Sequence, residues 1–428
     1  MTEIMESRRR KSRKHRKIWP YLVGIGVLGV AASAIVYGMF IEHPTHALAT
    51  AHVSSKNAHY TAYPFTHRVT FLLLGSSLET ANHHDITAKD ARNRTDTMIL
   101  VSINPATKQV GVLSIPRDSR VEVPPVGKTK IAEANFFGGV RETVAVVENT
   151  FHVPVDYYAY LNLFQFAKII NDMGGLTVDV PQNEVYQPGG PLGIDLKKGV
   201  HHLNGQQVLE FVRFRNTSQG DIGRIQQQQQ VLRDMAAQLL QPQEIPRWPR
   251  LAHDLISALS YTNLSTGQLL SLGLFAKSIS LSSVRYATIP GYATTHVDPY
   301  MHIPLSYWHW SRHLTPLLIQ NVLLGDNLTP QQKHSVVFQV ESGTKSLRPA
   351  EQLAQKLQQQ GYTVLPVGWA NHHNHHRTVL INTTGDRYLG NQIASMLGPN
   401  QQEFTAYHTT PWDFKIVVGS DYSPPKGL

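Results

Sequence analysis

The sequence predicts a mixed α/β body, in which a sheet carries helices on both faces, followed by a small second domain of alternating strands and helices. The 428 residues are 41% hydrophobic and 16% charged, which is enough apolar side chain for more than one domain. Short apolar runs typical of buried strands are interspersed with longer segments that suit helices. The chain has no cysteine, which excludes disulfides, thiolate metal sites and a cysteine nucleophile.

Residues 1–17 are predicted to form a basic cytoplasmic tail. Eight Lys or Arg side chains outweigh Glu3 and Glu6, so the tail carries most of the formal net charge of +9. Such a cluster is also a footprint of nucleic-acid binding. It directly precedes an apolar stretch, however, where basic residues usually set membrane topology. We therefore expect no nucleic-acid partner.

Residues 18–41 contain no charged side chain and are long enough to cross a bilayer. Aromatic side chains lie near both ends, where they favour the headgroup region. A cleavable signal peptide would have a shorter apolar region, of roughly 7–15 residues. The sequence thus predicts one uncleaved signal-anchor helix, with the remaining chain outside the cell membrane. Residues 42–66 are polar and aperiodic and predict an extracytoplasmic linker.

The first extracytoplasmic domain is predicted over residues 67–325. A long helix is predicted from Asp221 to about Gln241, and the glutamines at 226–230 are interpreted as its solvated face. Residues 251–281 are predicted to be mostly helical. The other predicted strands are 69–74, 97–103, 109–115, 155–161 and 176–180, and the other helices are 142–151 and 162–173.

The second domain is predicted over residues 334–422. Its pattern reads β-α-β-β-α-β, a ferredoxin-like order. No cluster of charged residues marks it, so we expect a binding or spacing role. The predicted strands are 336–340, 363–367, 378–381 and 414–418, and the helices are 349–360 and 388–397.

A hairpin with its turn at 104–108 is flanked by charged residues. Folding it about Ala106 places Asp96 opposite Pro116 and Arg94 opposite Asp118. These side chains and Arg117 should then converge at one end of the sheet, because paired strand positions lie about 4.5–5.5 Å apart. On the hairpin alone, a surface salt-bridge cluster remains an alternative.

Further arginines follow downstream. Residues 211–215, if extended, direct Arg213 and Arg215 to one face, although the preceding residues 205–210 could be helical. Arg224 lies in the first turn of the helix that begins at Asp221, and helix N-termini attract anions. Since guanidinium groups bind phosphate oxygens in pairs, these residues predict a phosphate site. The Gly-rich phosphate loop, the G-x-S-x-G elbow and the H-E-x-x-H motif are all missing from the sequence.

Together these segments resemble the LytR-CpsA-Psr family of cell-envelope proteins. Residues 334–422 resemble the C-terminal domain of some members, and a basic tail with one signal-anchor helix is also the family's layout. The matching segments are FLLLGS (71–76), RTDTMILVSINPATKQVGVLSIPRDS (94–119), KIAEANFFGG (130–139), VPVDYYAYLNLFQFAKIINDMGGLTVDVP (153–181), GVHHLNGQQVLEFVRFR (199–215) and GDIGRIQQQQQVL (220–232).

The resemblance implies a phosphotransferase of a Gram-positive-type envelope. Such enzymes move an anionic glycopolymer, of teichoic acid or capsule type, from a polyprenyl-pyrophosphate carrier to a peptidoglycan hydroxyl through a phosphodiester. Asp96 is implied to bind Mg²⁺, and Asp118 and Asp221 to orient arginines. The residues implied to bind the pyrophosphate are Arg94, Arg117, Lys130, Arg213, Arg215 and Arg224.

The sequence departs from the family at three places. Ser77 stands where the family usually has Asp, so Glu79 or Asp85 would have to replace that metal ligand, or metal dependence would be weaker. Ala132 replaces the family's Asn. Gln227-Gln228 replaces its Arg-Gln pair.

Other functions remain open at this point. The Ser77 departure is compatible with an envelope-binding or scaffolding protein that has lost catalysis. A transcriptional attenuator, the family's historical label, would require DNA binding by the tail, yet no DNA-reading module accompanies it. Hydrolysis of the pyrophosphate is possible wherever water replaces the acceptor. Neither the histidines at 372–376 nor the S-x-x-K match at Ser342–Lys345 has the partner residues that its chemistry needs.

Overall fold

The structure is a computed structural model that describes residues 65, 67–76, 93–186, 193–214, 220–239, 241, 259–264, 268, 272, 275, 279, 284–398 and 400–422. The predicted tail, the predicted span at 18–41 and nearly all of the predicted linker lie outside the described residues. Within the described part of the chain, no helix is both long and apolar enough to cross a membrane.

The first domain is built on a six-stranded mixed sheet in the order β11-β6-β1-β2-β3-β12. Strands β1–β2–β3 form an antiparallel meander, and β6 and β12 run parallel to their neighbours β1 and β3. The strands of this domain are β1 Val69–Ser76, β2 Thr97–Asn104, β3 Gln109–Ser114, β4 Arg120–Val123, β5 Gly127–Lys130, β6 Tyr157–Asn162, β7 Leu176–Val180, β8 Glu184–Tyr186, β9 Ile194–Leu196, β10 Gly199–Leu203, β11 Leu259–Thr262, β12 Val284–Thr288, β13 Gly291–Val297 and β14 Pro304–Trp310. The helices are α1 Glu133–Phe151, α2 Leu163–Asp172, α3 Gly205–Arg213, α4 Gly220–Leu239 and α5 Leu314–Leu318, which continues as one π-turn over Ile319–Leu323.

The large sheet is buried on both faces, which explains why its strands are apolar at nearly every position. Leu72, Leu100 and Leu113 face one core, to which α1 contributes its apolar side. Phe71 and Val101 face the opposite core, which includes the helical residues at 272 and 275 and receives Leu232 of α4. The predicted sheet with helices on both faces is confirmed.

The β2–β3 hairpin is shifted by one residue from the predicted register. Ile99 pairs with Ser114, so Asp96 is level with Arg117 and not with Pro116. The turn has four residues, 105–108, so its centre lies between residues 106 and 107. Asn104 Oδ1 stabilises it by accepting hydrogen bonds from the backbone N–H groups of Ala106, at 3.1 Å, and Thr107, at 3.4 Å.

The prediction of an extended segment at 211–215 is wrong over residues 211–213, and Phe214, which follows the helix, is extended. Residues 205–213 form α3, which begins at a capping box between Asn204 and Gln207. Phe211 and Val212 are buried against α2 and β7, so the apolar pattern belongs to a helix face and not to a strand. The expectation that residues 251–281 are mostly helical also fails at β11, which pairs with β6.

The glutamine run of α4 is not a solvated face. Gln227 and Gln229 are buried, and Gln229 Nε2 donates to Ser114 Oγ, 2.8 Å away on the central sheet. Gln230 Nε2 reaches the carbonyl of Asp179 at 2.7 Å. Amide side chains of α4 therefore make hydrogen bonds to strands on both sides of the helix. The glutamine run did not predict these contacts, because glutamine is equally common on exposed helices.

Gln227 also contacts a fully buried carboxyl group. Its Nε2 donates to Glu184 Oε1 at 2.5 Å. Burial, partly offset by this hydrogen bond, raises the pKa of Glu184 from 4.5 to about 7. Because the carboxyl ionises more easily in the unfolded chain, the stability of the folded state falls as pH rises from about 4.5 to about 7.

We expect Glu184→Gln to raise the free energy of unfolding by about 2–3 kcal/mol at about pH 8 and by little at about pH 4. The amide preserves the hydrogen-bonding capacity towards Gln227 but cannot ionise. Denaturant titrations at the two pH values measure the difference, with the exposed Glu122→Gln as matched control. An equal gain at both pH values would contradict the assigned ionisation.

The second domain forms its own mixed sheet. Two βαβ units are present, but the ferredoxin-like prediction is wrong because β20, the last strand in the chain order, lies between β15 and β18. β19 was not predicted, since its sequence NQQEF is an exposed polar edge. The elements are α6 Pro330–Ser335, β15 Val337–Ser342, α7 Arg348–Gln359, β16 Thr363–Val364, β17 Gly368–Trp369, β18 Thr378–Asn382, α8 Arg387–Met396, β19 Asn400–Phe404 and β20 Phe414–Val418.

The two domains share a hydrogen-bonded interface. The backbone N–H of Thr288, on β12, donates to the carbonyl of Gly385 at 2.9 Å. A side chain at Gly385, whose φ is 73°, would place its Cβ 1.9 Å from the Thr288 carbonyl oxygen, so only glycine fits there. Asn321 Nδ2 donates to Asp386 Oδ2 at 2.8 Å, and Asp386 also caps α8. The second domain is therefore packed directly on the sheet that carries the candidate site.

Candidate active site

Four charged side chains form a row at one end of the central sheet, in which each lies close to the next. Arg117 Nη1, just after β3, donates to Asp96 Oδ1, just before β2. Arg117 Nε lies 3.6 Å from Asp118 Oδ2, and Lys130 Nζ lies 2.7 Å from Asp118 Oδ1. We call Asp96, Arg117, Asp118 and Lys130 the charged row. All four side chains are partly exposed, so a ligand can reach them.

The backbone fixes the charged row from both sides. The N–H of Asp96 donates to the carbonyl of Gly75 at 2.8 Å, and the N–H of Ala132 donates to that of Arg117 at 3.1 Å. Lys130 lies on the β4–β5 hairpin, where it pairs with Arg120. Strand pairing at Lys130 and backbone hydrogen bonds at the other three residues therefore set the positions of all four groups, which favours a preorganised site over a mobile surface cluster.

Arg94 lies beside the charged row and has a separate carboxylate partner. Its Nε donates to Glu133 Oε1 at 2.6 Å, in the first turn of α1. Its guanidinium carbon lies 5.8 Å from the centre of the Phe136 ring, and about half of the side chain is exposed. Sequence reasoning missed Glu133, although an acidic residue at the start of a helix was the available signal.

Sequence analysis also missed a second layer of hydrogen-bonded side chains behind Lys130. Lys130 Nζ lies 5.8 Å from the centre of the Tyr307 ring, and Tyr307 donates its hydroxyl to Asp298 Oδ2 at 2.6 Å. Burial opposes ionisation of Asp298, but hydrogen bonds from Tyr307, Met301, Thr129 and Tyr300 outweigh it and lower its pKa to about 2. Burial and the bond to Asp298 raise the pKa of Tyr307 to about 12. This layer therefore keeps one fixed protonation state at neutral pH.

The remaining predicted site residues are only partly described. Arg213 ends α3, and Arg224 lies buried near the start of α4. Arg215 lies outside the described residues, as do Ser77, Glu79 and Asp85, and Asp221 is placed by its backbone alone. The structure thus brings Asp96, Arg117, Asp118 and Lys130 into direct contact and leaves the downstream arginines to prediction.

Trp308 connects the start of α4 to the charged row. Its backbone N–H donates to the carbonyl of Asp118 at 2.8 Å, and its ring packs with Ile225, which follows Arg224. On its other side the ring meets Tyr407 of the second domain, with 5.0 Å between ring centres. Arg224 is therefore carried on a helix that contacts the same tryptophan as the charged row.

The positive and negative charges within the charged row balance. A pyrophosphate would therefore compete with Asp96 and Asp118 for N–H donors that are already oriented, a geometry suited to binding a dianion at low reorganisation cost. The described residues hold no group of three or more His, Asp or Glu side chains that could bind a metal ion. Asp96 nevertheless suits Mg²⁺, which usually takes one or two carboxylates and completes its shell with water and phosphate oxygens.

Comparison with known proteins identifies both domains. Residues 39–308 match the model of the LytR_cpsA_psr family, and residues 335–422 match that of the "LytR cell envelope-related transcriptional attenuator". The chain is 30% identical over 299 residues to TagT of Bacillus subtilis (strain 168), a polyisoprenyl-teichoic acid–peptidoglycan teichoic acid transferase; the match covers 68% of this chain and 90% of TagT.

TagV of the same organism, which bears the same transferase name, is 36% identical over 174 residues. This match covers 39% of the present chain and spans less than half of TagV, 44% of its length. The crystal structure of B. subtilis TagV superposes with a TM-score of 0.51 at 26% identity, covering 61% of this chain and 99% of that chain. Because the family model matches residues 39–308, more than half of the 428 residues, the chain belongs to the LytR-CpsA-Psr family.

Proposed function

We propose that this chain attaches an anionic glycopolymer, of teichoic acid or capsule type, from a polyprenyl-pyrophosphate carrier to peptidoglycan. The observation that carries the proposal is the charged row, in which backbone hydrogen bonds hold Arg117 and Lys130 with their carboxylate partners at one end of the sheet. The names of the relatives TagT and TagV, both teichoic acid transferases, support the substrate class. We further propose the single-span topology that the sequence predicts, with the body on the outer side of the membrane.

The proposed transfer exchanges one phosphorus–oxygen bond for another. The acceptor hydroxyl oxygen attacks the phosphorus that carries the glycopolymer, the bond from that phosphorus to the bridging oxygen breaks, and polyprenyl phosphate leaves. The hydroxyl proton passes to a carboxylate or to water. Arg94, Arg117 and Lys130 bind the phosphate oxygens and neutralise the charge that grows on the leaving phosphate, which is the main demand of phosphoryl transfer. We also propose Arg213, Arg215 and Arg224 as further cations for the pyrophosphate, with Asp118 and Asp221 orienting arginines.

We propose Asp96 as the described carboxylate that would hold Mg²⁺. The cation would neutralise charge shared between the phosphate oxygens. With Ser77 in place of the family's usual Asp, most other ligands would be water and substrate oxygens. A metal held this way should be bound weakly and exchange readily.

The test is transfer of a labelled glycopolymer from a polyprenyl-pyrophosphate donor to peptidoglycan oligomers by the full chain in nanodiscs. Labelled peptidoglycan product supports the transferase, release of free glycopolymer phosphate indicates hydrolysis, and donor binding without turnover would favour the scaffolding alternative. The regulatory alternative requires sequence-dependent binding of DNA by the tail, which an electrophoretic shift assay with the full chain measures.

Chelation is expected to lower the transfer rate about tenfold or more, because the cation neutralises phosphate charge in the transition state. Added Mg²⁺ should restore it in the wild type, whereas Asp96→Asn should show a low rate that Mg²⁺ no longer changes. The exposed Glu122→Asn serves as control. Equal wild-type rates with and without chelator would contradict the metal proposal and leave the transferase proposal intact.

A further inference from the structure

The tip of the β13–β14 hairpin exposes an unusual amount of apolar surface. Val297, Tyr300, Met301 and Ile303 are 63%, 57%, 44% and 45% exposed. They lie within seven residues, VDPYMHI, whose one acidic side chain, Asp298, is buried. Contiguous apolar surface of this kind typically marks an interaction site.

The exposure is imposed by the fold. Asp298 Oδ1 accepts hydrogen bonds from the backbone N–H groups of Tyr300, at 3.0 Å, and Met301, at 2.7 Å. Its Oδ2 accepts from Tyr307, at 2.6 Å, and from Thr129 Oγ1, at 2.8 Å, on the neighbouring β4–β5 hairpin. The backbone of the tip is therefore held in one shape, and its apolar side chains cannot turn inward to a core.

The tip lies next to the candidate active site. The Tyr300 ring meets Phe137 at 5.1 Å between ring centres, and Phe137 meets Phe136 at the same distance. Phe136 is the ring beside Arg94. Through Asp298 and Tyr307, the tip also connects to Lys130. Whatever surface the tip contacts is thus brought within a few side chains of the phosphate-binding cations.

We propose that this tip contacts the membrane, with Tyr300, Met301 and Ile303 entering the interfacial region of the bilayer. The inference deepens the proposed function, on which it rests, because it explains how a site on a folded body reaches a pyrophosphate at the bilayer surface. Tyrosine is enriched at this depth, and small apolar side chains gain free energy by leaving water there. The exposed Lys128, next to Thr129, lies opposite the exposed Glu122 in the β4–β5 hairpin, so the contact depends on the apolar side chains of the tip.

The length of chain before the described body fits this contact. Phe65 is already packed against Phe71 and Tyr157, and 23 residues separate it from the predicted end of the span at residue 41. The polar linker that the sequence predicts over this stretch would have a root-mean-square reach of about 25–30 Å. The body is then tethered within roughly its own diameter of the bilayer, so the contact needs little affinity of its own.

The absence of cysteine from the chain allows one direct measurement. Met301→Cys, in the full chain in nanodiscs with anionic lipid, is labelled with an environment-sensitive fluorophore and compared with the exposed Gln402→Cys on β19. At position 301 we expect blue-shifted emission, quenching by nitroxide-labelled lipids and shielding from iodide; position 402 should show none of these. Equal iodide access at both positions would overturn the proposal. Shielding of position 301 that requires added peptidoglycan, or that requires a high protein concentration, would also overturn it, because the occupant would then be peptidoglycan or a second copy of the chain.

A kinetic measurement separates this inference from the proposed function. Met301→Glu with Ile303→Glu should lower turnover of a long-chain donor embedded in the bilayer about tenfold, because charged side chains are disfavoured in the interface. Turnover of a short-chain, water-soluble donor should stay within about twofold. The matched control is Val200→Glu, exposed on β10. A wild type that turns over neither donor contradicts the proposed function alone, since the fluorescence measurement still decides the membrane contact. If the double variant loses the same turnover with both donors, the proposed membrane contact is overturned.

Discussion

Arg117→Ala is expected to lower the transfer rate about 10²–10³-fold, the usual effect of removing one preorganised donor from a phosphate or oxyanion site. Arg117 is the central member of the charged row, since its guanidinium contacts both Asp96 and Asp118. Its loss removes a bidentate donor and leaves two carboxylates close together, where they repel the substrate's phosphates. The loss should fall mainly on kcat if Arg117 binds the transition state more tightly than the donor.

Two variants make this prediction specific. Arg117→Lys keeps the charge but not the planar fork, so an intermediate rate is expected. Arg141→Ala removes an exposed arginine of α1 and should leave the rate within about twofold of wild type. Circular dichroism melting verifies that each variant is folded. Wild-type turnover by a folded Arg117→Ala protein would remove Arg117 from the proposed mechanism.

Trp308→Ala is expected to destabilise the protein by about 3–5 kcal/mol, the usual range for a buried aromatic residue. The ring is buried among Ile225 of α4 and Ala406 and Tyr407 of the second domain, and its Nε1 donates to the carbonyl of Ile289 at 3.2 Å. Its backbone also bonds to Asp118. The variant should therefore loosen α4 and the domain interface together, while alanine keeps the backbone N–H that donates to Asp118.

Denaturant titration measures the loss of stability, and scanning calorimetry measures the number of unfolding transitions. We expect Trp308→Ala to separate the unfolding of the two domains into two transitions, whereas Trp308→Phe should retain most of the coupling. Trp369→Ala removes a half-exposed tryptophan of the second domain and should change stability by less than about 0.5 kcal/mol. If Trp308→Ala melts like wild type in one transition, the ring does not couple the domains.

The sequence predicted the elements whose burial is regular and missed those defined by long-range pairing. The bounds of β1, β2, β3 and β7 were predicted within two residues, because these strands form uninterrupted or alternating apolar runs. The continuation of the helix at 205–210 through residues 211–213 was missed, because the five residues 211–215 are too few to distinguish a strand period from a helix period. The position of β20 in its sheet could not be predicted, since strand order depends on contacts between distant segments.

The candidate site shows the same division. The contact of Arg117 with Asp96 and Asp118 agrees with the predicted hairpin despite the shift of one residue in register, whereas Arg94 pairs with Glu133 and not with Asp118. Lys130 was implied only by the family resemblance. Glu133, Asp298 and Tyr307 were missed because each reaches the site from another element through a side chain, and single-sequence patterns carry no information on such contacts.

The central position of β20 sets an order of events in the folding of the second domain, because this strand is the last part of the sheet to be synthesised. Phe414 stacks on Phe338 with 5.0 Å between ring centres, and β20 separates β15 from β18. Until residues 414–418 have been synthesised, β15 and β18 have no strand between them and their facing edges stay unpaired. This domain therefore cannot complete its sheet before its last strand is present, and a chain cut short by a nonsense codon or by proteolysis before Phe414 would present open strand edges that proteases can recognise.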